Sequence, residues 1–124
     1  PLWGIRALLR QICKTVSKWI HLCVYSIEKT AVFEKWFTKL KDQRAKAKIL
    51  FRIQRIQDQG NFGDFESVGS GILELRIHYA KGYRIYLKDV NGRIVILLNG
   101  GDKSKQQKDI AKAKQVWIEL KRSK

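Results

Sequence analysis

Basic side chains recur at alternating positions between Gly71 and Ile110, and predicted turns bring several of them together. Arg76, His78 and Arg84 fall on one face of a predicted sheet because alternate residues of a strand point the same way. Lys103 follows the last strand beside that face. Such cations bind phosphate oxygens and stabilise charge that develops on them, as when an RNA 2′-hydroxyl attacks the adjacent phosphate. Two plainer alternatives are an ordinary solvated sheet face and a basic binding domain whose cations only hold phosphates.

Two turns determine the predicted register of these strands. Asn91-Gly92 between apolar runs predicts a type I′ hairpin turn with Val90 opposite Arg93. A three-residue loop over 80–82, with Gly82 in the left-handed conformation, predicts Tyr79 opposite Tyr83. The pairs that follow are Arg76 with Tyr86, Ile77 with Ile85, Ile85 with Leu98, Leu87 with Ile96, and Arg84 with Asn99.

This register gives the sheet an apolar face that needs helices over it and a second face open to solvent. The residues predicted on the apolar face are Leu73, Leu75, Ile77, Ile85, Leu87, Ile96 and Leu98. The second face holds Glu74, Arg76, His78, Arg84, Tyr86 and Asn99. The second face is therefore the predicted phosphate-handling surface.

Two residues of that face have more than one interpretation. His78 can act as an acid or a base, and the alternative is a surface histidine without a role. The Tyr86 ring can stack on a nucleic-acid base, whereas Tyr79 and Tyr83 are predicted to face the helices.

The composition indicates one basic domain. The 124 residues include 26 Lys and Arg against 11 Asp and Glu, a formal charge of +15. Such a charge predicts a polyanionic partner, nucleic acid before membrane, or an acidic protein that neutralises it. Cys13 and Cys23 lack metal-ligand spacing, which favours a reducing compartment. We find neither a signal peptide nor an apolar run long enough for a membrane span, so the prediction is a cytoplasmic protein.

Common catalytic and nucleotide-binding motifs are missing from the sequence. It contains no Walker loop, GxGxxG, HExxH or CxxC motif, and its carboxylates are few and scattered. We therefore predict chemistry carried by cations, with no metal and no cofactor.

We predict that residues 1–23 are an extension to a domain that spans residues 24–124. Ile5, Leu8, Ile12, Val16 and Trp19 recur at helical spacing without any acidic residue, which predicts a basic amphipathic helix. Three uses stay open: packing on the domain or on a second copy as a homodimer, lying on a membrane surface, or a non-native extension.

The domain itself is predicted to be α+β. A strand at 25–28 precedes a helix capped by Thr30, and a second helix runs from Asp42 to near Gly60. A short strand at 65–68 and three meander strands follow, and the last helix covers about 106–121. The order β-α-α-β-β-β-β-α predicts a mainly antiparallel sheet of four to five strands with helices on one side.

The same residues resemble a known family. From about Val24 to Leu120, the runs FEKWFTKLKD, RAKAKILFRI, GNFGD, VGSGILELRIHYAKGYRIY and LLNGGDKSKQQKDIAKAK resemble phage-derived addiction-module killer proteins of the RelE/ParE toxin superfamily, close to HigB-type toxins. The resemblance implies the RelE fold, a curved antiparallel sheet backed by two N-terminal helices with a C-terminal helix. It also implies a bacterial type II toxin that is neutralised by a cognate antitoxin, of the helix-turn-helix, HigA-like kind. Relatives on the RelE side cleave mRNA on the ribosome, and relatives on the ParE side inhibit DNA gyrase.

The resemblance also implies roles for individual residues. Arg76 matches the arginine that contacts the scissile phosphate, Arg84 matches a second strand arginine, and Lys103 falls where many relatives have an arginine. Lys105 and Lys108 lie where some relatives supply a tyrosine or histidine, so the general acid stays unassigned.

The resulting prediction is a metal-independent endoribonuclease that acts on mRNA and the ribosome, with Arg76, Arg84 and Lys103 as catalytic residues. The predicted RNA contacts are Lys46, Lys48, His78, Lys81, Tyr86, Lys105 and Lys108. Two alternatives stay open: a gyrase inhibitor, and a basic nucleic-acid-binding domain without activity.

Overall fold

The computed structural model describes residues 24–123, which form five strands and three α-helices around one sheet. The elements are β1 (Ser26–Lys29), α1 (Ala31–Lys39), α2 (Gln43–Gln59), β2 (Phe65–Ser67), β3 (Ile72–Ile77), β4 (Tyr83–Val90), β5 (Ile94–Asp102), a 3₁₀ turn (Lys103–Lys105) and α3 (Gln106–Arg122). The predicted element order and the α+β class are both confirmed. The amphipathic helix predicted for residues 1–23 lies outside the described residues. Within residues 24–123, no helix is both long enough and apolar enough to cross a membrane.

Helix α1 begins at its predicted cap, and α2 begins and ends at the predicted residues. The Thr30 hydroxyl accepts a hydrogen bond from Phe33 N at 3.1 Å, and the Asp42 carboxylate accepts from Arg44 N and Ala45 N at 3.0 and 3.1 Å. These side chains satisfy backbone donors that a helix start leaves open. Gly60 ends α2 in the left-handed conformation, with φ at 67°.

The sheet is mixed rather than wholly antiparallel. Its strand order is β1-β5-β4-β3-β2, in which β1 pairs parallel with β5 and all other neighbours are antiparallel. Strands β2 and β1 therefore form the two edges, and the strands that carry the predicted site lie at the centre.

The β3–β4 register differs from the prediction by two residues. Arg76 lies opposite Arg84 rather than Tyr86, and Ile77 lies opposite Tyr83 rather than Ile85, because residues 78–82 form a longer loop than expected. Gly82 has the predicted left-handed conformation. A shift of two residues preserves the alternation of side chains, so Arg76 and Arg84 still share a face.

The β4–β5 register differs from the prediction by one residue at the hairpin, which moves the side chains of residues 94–98 to the opposite face of the sheet. Asn91 and Gly92 have the predicted positive φ angles, 58° and 67°, yet the strands pair Val90 with Ile94, and a further irregularity follows between Tyr86 and Leu87. The corrected pairs are Leu87 with Leu97, Ile85 with Gly100, and Arg84 with Gly101.

Helices cover both faces of the sheet, so the prediction of helices on one side is wrong. Helices α1 and α2 bury a core that includes Phe33, Ile49, Leu75 and Leu97. Helix α3 buries a second core on the opposite face; its sheet residues are Ile72, Tyr86 and Leu98, and its helix residues are Ala113 and Val116. The reason is the one-residue shift at the hairpin, which turns Leu98 away from the first core and makes the second face apolar enough to need a helix.

Candidate functional site: a buried arginine cluster and an open basic cleft

Glu74 on β3 is the centre of a buried polar cluster, here called the Glu74 cluster. The Glu74 side chain is fully buried, and its carboxylate accepts hydrogen bonds from Arg76 Nε and Arg84 Nη1, both at 3.1 Å. It also accepts from the Tyr86 hydroxyl and from Gln106 Nε2, both at 3.0 Å. Burial alone raises the pKa of Glu74, but the four donors together hold that pKa below its usual value. Glu74 is therefore a buried anion that holds both predicted catalytic arginines.

The second face of the sheet was predicted to be open to solvent, and this prediction is wrong at the Glu74 cluster. Arg84 is 8% exposed, Tyr86 is fully buried, and Asn99 is buried with Nδ2 donating to the Asp109 carbonyl at 3.1 Å. Helix α3 covers these residues because its first turn supplies Gln106 and Asp109 to them. The stacking role predicted for Tyr86 is wrong, since its ring has no exposed surface and its hydroxyl is bonded to Glu74.

Arg76 extends from this cluster toward the surface. Its guanidinium pairs with Glu74 inside the protein and with Glu66 on the edge strand β2, and 30% of its side chain is exposed, against 10% for Arg84. The hydrogen bond to Glu74 is the largest reason why the pKa of Arg76 is raised. Two carboxylates thus fix the direction of a permanently charged side chain that reaches solvent.

The exposed part of Arg76 lines a cavity between α2 and the end of β3, here called the basic cleft. Its volume is about 430 Å³. Its described lining is Ala47, Lys48, Phe51, Arg52, Asp64, Arg76, Ile77 and His78. Three cations, one histidine and one aromatic ring thus surround one open space. Of the predicted site residues, the structure brings Arg76, Lys48 and His78 together here.

Arg52 holds the wall of the basic cleft in place. Its Nη1 donates to the Arg76 carbonyl at 2.5 Å, and its Nη2 donates to the carbonyls of Phe62 and Asp64 at 2.8 and 2.9 Å. Partial burial lowers the pKa of Arg52, and the nearby Asp64 carboxylate opposes that effect. The guanidinium therefore fastens the loop that precedes β2 onto both α2 and β3.

His78 and Asp64 form a hydrogen-bonded pair at the mouth of the cleft. The bond joins His78 Nε2 to Asp64 Oδ2, and the His78 side chain is 74% exposed. This bond is the largest reason why the pKa of Asp64 lies below its usual value. The imidazole is thus both oriented by a carboxylate and open to a ligand.

Phe51 is a site residue that the sequence reasoning missed. Its side chain is 61% exposed in the basic cleft, and the Arg55 guanidinium lies 5.7 Å from its ring centroid. An exposed aromatic ring among cations offers a ligand an apolar face beside positive charge. The available signal was its spacing from Lys48 and Arg55, which places all three on the outward face of α2. Asp64 was missed as well, and no local pattern marks it.

The other predicted RNA contacts lie elsewhere on the surface. Lys46 Nζ lies 3.5 Å from the Thr38 carbonyl and 5.2 Å from the Phe37 ring centroid. Lys103, Lys105 and Lys108 line a separate cavity of about 400 Å³, and Lys81 lines a third beside Asp102. The predicted single basic face is therefore divided into separate patches around the β3–β4 loop.

Among the side chains of residues 24–123, no group of three or more His, Cys, Asp and Glu is placed to hold a metal ion. The described cleft lining offers fixed cations, an imidazole and an aromatic ring. Such groups bind a phosphate, stabilise charge that builds on it, and transfer a proton.

The fold is that of the RelE toxins. The chain is similar to the E. coli toxin RelE in the free state, solved as a double arginine-to-alanine mutant, with a TM-score of 0.60 at 12% identity over 74% of this chain and 96% of that one. It is also similar to a chain of the intact E. coli RelBE toxin–antitoxin complex, with a TM-score of 0.54 at 12% identity over 63% of this chain and 95% of that one.

Sequence comparison then gives the family. The model of the phage-derived Gp49-like proteins (DUF891) matches residues 35–117, and the chain belongs to this family of RelE-type toxins. A Haemophilus influenzae protein of uncharacterised function is 58% identical over 94 residues, which cover 76% of this chain and 94% of that protein. The predicted membership of the RelE superfamily is confirmed.

Proposed function

We propose that this protein is the toxin of a type II toxin–antitoxin module and that it cleaves mRNA on the ribosome, as a HigB-like interferase. The observation that carries the proposal is the basic cleft, in which Arg76, fixed by two carboxylates, meets Lys48, His78 and Phe51. Membership of a RelE-type toxin family supports the toxin role independently of the cleft.

The composition of the cleft favours single-stranded RNA as the substrate. Lysine and arginine bind the phosphates of any nucleic acid, but an exposed ring beside them binds an unstacked base. Phe51 is such a ring, and it takes over the stacking role that the sequence suggested for Tyr86. An mRNA held in a ribosome presents single-stranded bases and a 2′-hydroxyl beside each phosphate.

The proposed reaction is an internal phosphoryl transfer. The 2′-oxygen attacks the adjacent phosphorus, the bond from phosphorus to the 5′-oxygen breaks, and the products carry a 2′,3′-cyclic phosphate and a 5′-hydroxyl. Negative charge builds on the phosphate oxygens as the reaction proceeds. Arg76 faces that charge, and one lost donor of this kind costs about 3 to 4 kcal/mol of transition-state stabilisation.

Arg84 and Lys103, the other two predicted catalytic residues, receive different roles. Arg84 is buried against Glu74, so it acts through that carboxylate to keep Arg76 in place. Lys103 lies beside the β3–β4 loop, where a Cβ on Gly82 would approach the Lys103 Cβ to 3.5 Å. We assign Lys103, Lys105, Lys108, Lys81 and Lys46 to RNA and ribosomal RNA phosphates outside the basic cleft.

The proposal includes an antitoxin partner. The RelBE structure is, in its own description, a toxin–antitoxin complex, and by analogy a cognate antitoxin of the HigA-like kind would neutralise this chain. The formal charge of +15 supports a partner with acidic segments. The homodimer suggested for residues 1–23 concerns a part of the chain outside the described residues.

Arg76→Gln provides the test of this function. The full chain is induced in a bacterium that lacks any cognate antitoxin, and growth and new 5′ ends in mRNA are followed over minutes. Wild type is expected to arrest growth and to produce ends inside translated codons, whereas Arg76→Gln is expected to lose both effects because its phosphate contact is gone. Circular dichroism checks that the variant folds.

Lys35→Gln is the matched control, since Lys35 is an exposed cation of α1 that lies outside the described cleft lining. It is expected to behave like wild type. If wild type arrests growth but leaves mRNA intact and damages DNA, the result would support the gyrase alternative. If induction of wild type does not arrest growth, the result would support a basic binding domain without activity.

A further inference from the structure

We propose that His78, held by Asp64, is the general acid that protonates the leaving 5′-oxygen, a role that the resemblance leaves unassigned. This inference rests on the proposed function and names a catalytic residue for it.

The position of His78 relative to Arg76 fits this role. His78 directly follows the last residue of β3, two positions after Arg76, so the two Cα atoms are at most about 7 Å apart. Both side chains line the basic cleft. A phosphate bound by the exposed edge of Arg76 therefore has one of its bridging oxygens within reach of the imidazole.

The hydrogen bond to Asp64 prepares the imidazole for proton donation. Asp64 occupies Nε2, so Nδ1 is the ring nitrogen left to give a proton to a ligand on this 74% exposed side chain. The Asp64 backbone is itself fixed, because its carbonyl accepts from Arg52 Nη2 at 2.9 Å and from Arg76 N at 3.0 Å. Asp64 is thus a positioning residue for the imidazole, and the cations that line the cleft around this pair are Lys48 and Arg52 of α2 and Arg76 of β3.

The proton balance of the step is complete without a cofactor. The 2′-hydroxyl proton passes to water as the bond from the 2′-oxygen to phosphorus forms. The His78 imidazolium gives its Nδ1 proton to the 5′-oxygen as the bond from that oxygen to phosphorus breaks. The neutral imidazole then takes a proton back from water, so no net proton is consumed.

Other proton donors near the site are less suitable. The Tyr86 hydroxyl is buried and already donates to Glu74, and burial and that bond raise the pKa of Tyr86 strongly. Lys103 lies outside the described lining of the basic cleft. His78 is the described group in the cleft that combines exposure, a titratable proton and a fixed orientation.

The test uses a leaving group that needs no acid. Full-length wild type and His78→Gln are compared on ribosomes that carry a short mRNA with a susceptible codon in the A site, identified by 5′-end mapping of wild-type activity. His78→Gln is expected to cleave the normal mRNA slower by on the order of 100-fold or more. When sulfur replaces the 5′-bridging oxygen, the thiolate leaves unprotonated, so variant and wild type are expected to cleave at similar rates.

Asp64→Asn provides a second variant with a different prediction. It is expected to slow the normal substrate less than His78→Gln, and the double variant is expected to be no slower than His78→Gln because Asp64 acts through His78. Lys35→Gln serves again as the control and is expected to match wild type on both substrates.

The contrary outcomes are distinct. If His78→Gln slows cleavage of both substrates equally, His78 is a binding or structural residue. If it does not slow cleavage of the normal substrate, His78 takes no part in catalysis. Either result overturns the inference while the proposed function stands. If wild type cleaves neither substrate, the proposed function fails and the inference with it.

Discussion

At the scale of single residues, Glu74 decides how the site is built. Strand alternation places Glu74, Arg76 and Arg84 on one face, and that much was predictable from the sequence. Their mutual contacts were not, because they depend on α3, whose Gln106 completes the set of donors to Glu74. A residue that looked like one carboxylate on a solvated face is in fact the buried anion that orients two arginines.

Glu74→Gln is expected to destabilise the protein by about 3 kcal/mol, since it leaves the Arg84 guanidinium buried without its charge partner. Urea unfolding at neutral pH measures this difference. Because the folded-state pKa of Glu74 is lowered, its stabilising contribution is present above the usual carboxyl pKa and is lost as pH falls through the lowered value. The difference between wild type and variant should therefore narrow in acid.

Glu66→Gln is the matched control for this prediction. Glu66 also pairs with Arg76, but its side chain is 57% exposed, and a solvent-exposed ion pair contributes less than about 1 kcal/mol. An equally large loss of stability in the two variants would contradict the argument that burial gives Glu74 its importance.

At the scale of elements, the end of β5 explains how two helix layers meet one sheet. Strand β5 runs through the pair of glycines and ends at Asp102. A Cβ on Gly100 would collide with the Trp36 indole of α1, and a Cβ on Gly101 would collide with the Asp109 carboxylate of α3. The two glycines thus allow a helix to approach closely on each face, which explains the sequence GG inside a strand.

Gly100→Ala is expected to lower the free energy of unfolding by about 2 kcal/mol, a typical cost of overpacking, because α1 must move away from the sheet. Thermal or urea unfolding gives the value. The double variant with Trp36→Leu is expected to lose less than the sum of the two single changes, since the smaller side chain leaves room for the methyl group. Strictly additive losses would show that the contact with Trp36 is not the cause.

The helix pattern was easier to predict than the sheet register, for a physical reason. Caps at Thr30 and Asp42 and the apolar spacing of α2 act locally, so the sequence was sufficient for both helices. The β4–β5 register depends on the hairpin, which pairs Val90 with Ile94, and on a further irregularity near Tyr86; no local signal marks either one. The one-residue shift at the hairpin turned Ile96 and Leu98 to the opposite face of the sheet. The second helix layer was missed as a direct result.

At the scale of the whole molecule, acidic groups gather where the proposed chemistry occurs. The chain has 11 Asp and Glu against 26 Lys and Arg, and three of those carboxylates, Asp64, Glu66 and Glu74, contact Arg76, Arg84 or His78. The two arginines and the histidine of the site are therefore held by carboxylates within a strongly positive protein. Attraction of RNA is expected to come from the distributed charge, and positioning from the site.

We therefore expect the salt dependence of RNA affinity to distinguish charge contacts from base stacking in the basic cleft. Binding of a short single-stranded RNA to the full chain, followed by fluorescence anisotropy, should weaken steeply as salt rises, with a slope of about 0.7 per phosphate contact. Lys48→Gln is expected to reduce that slope by about one contact. Phe51→Ala is expected to weaken binding by about 1 to 3 kcal/mol with the slope unchanged, because a stacked base releases no counterions.

Two controls decide whether these effects belong to the cleft. Phe65→Ala removes another exposed phenylalanine, on the edge strand β2 and outside the described cleft lining, and Lys35→Gln removes a cation from α1. Both are expected to leave affinity and slope close to wild type. If Phe65→Ala weakens binding as much as Phe51→Ala, the RNA follows the edge of the sheet instead. If Phe51→Ala lowers the slope as Lys48→Gln does, the ring acts by ordering neighbouring cations, and the separation of charge from stacking fails.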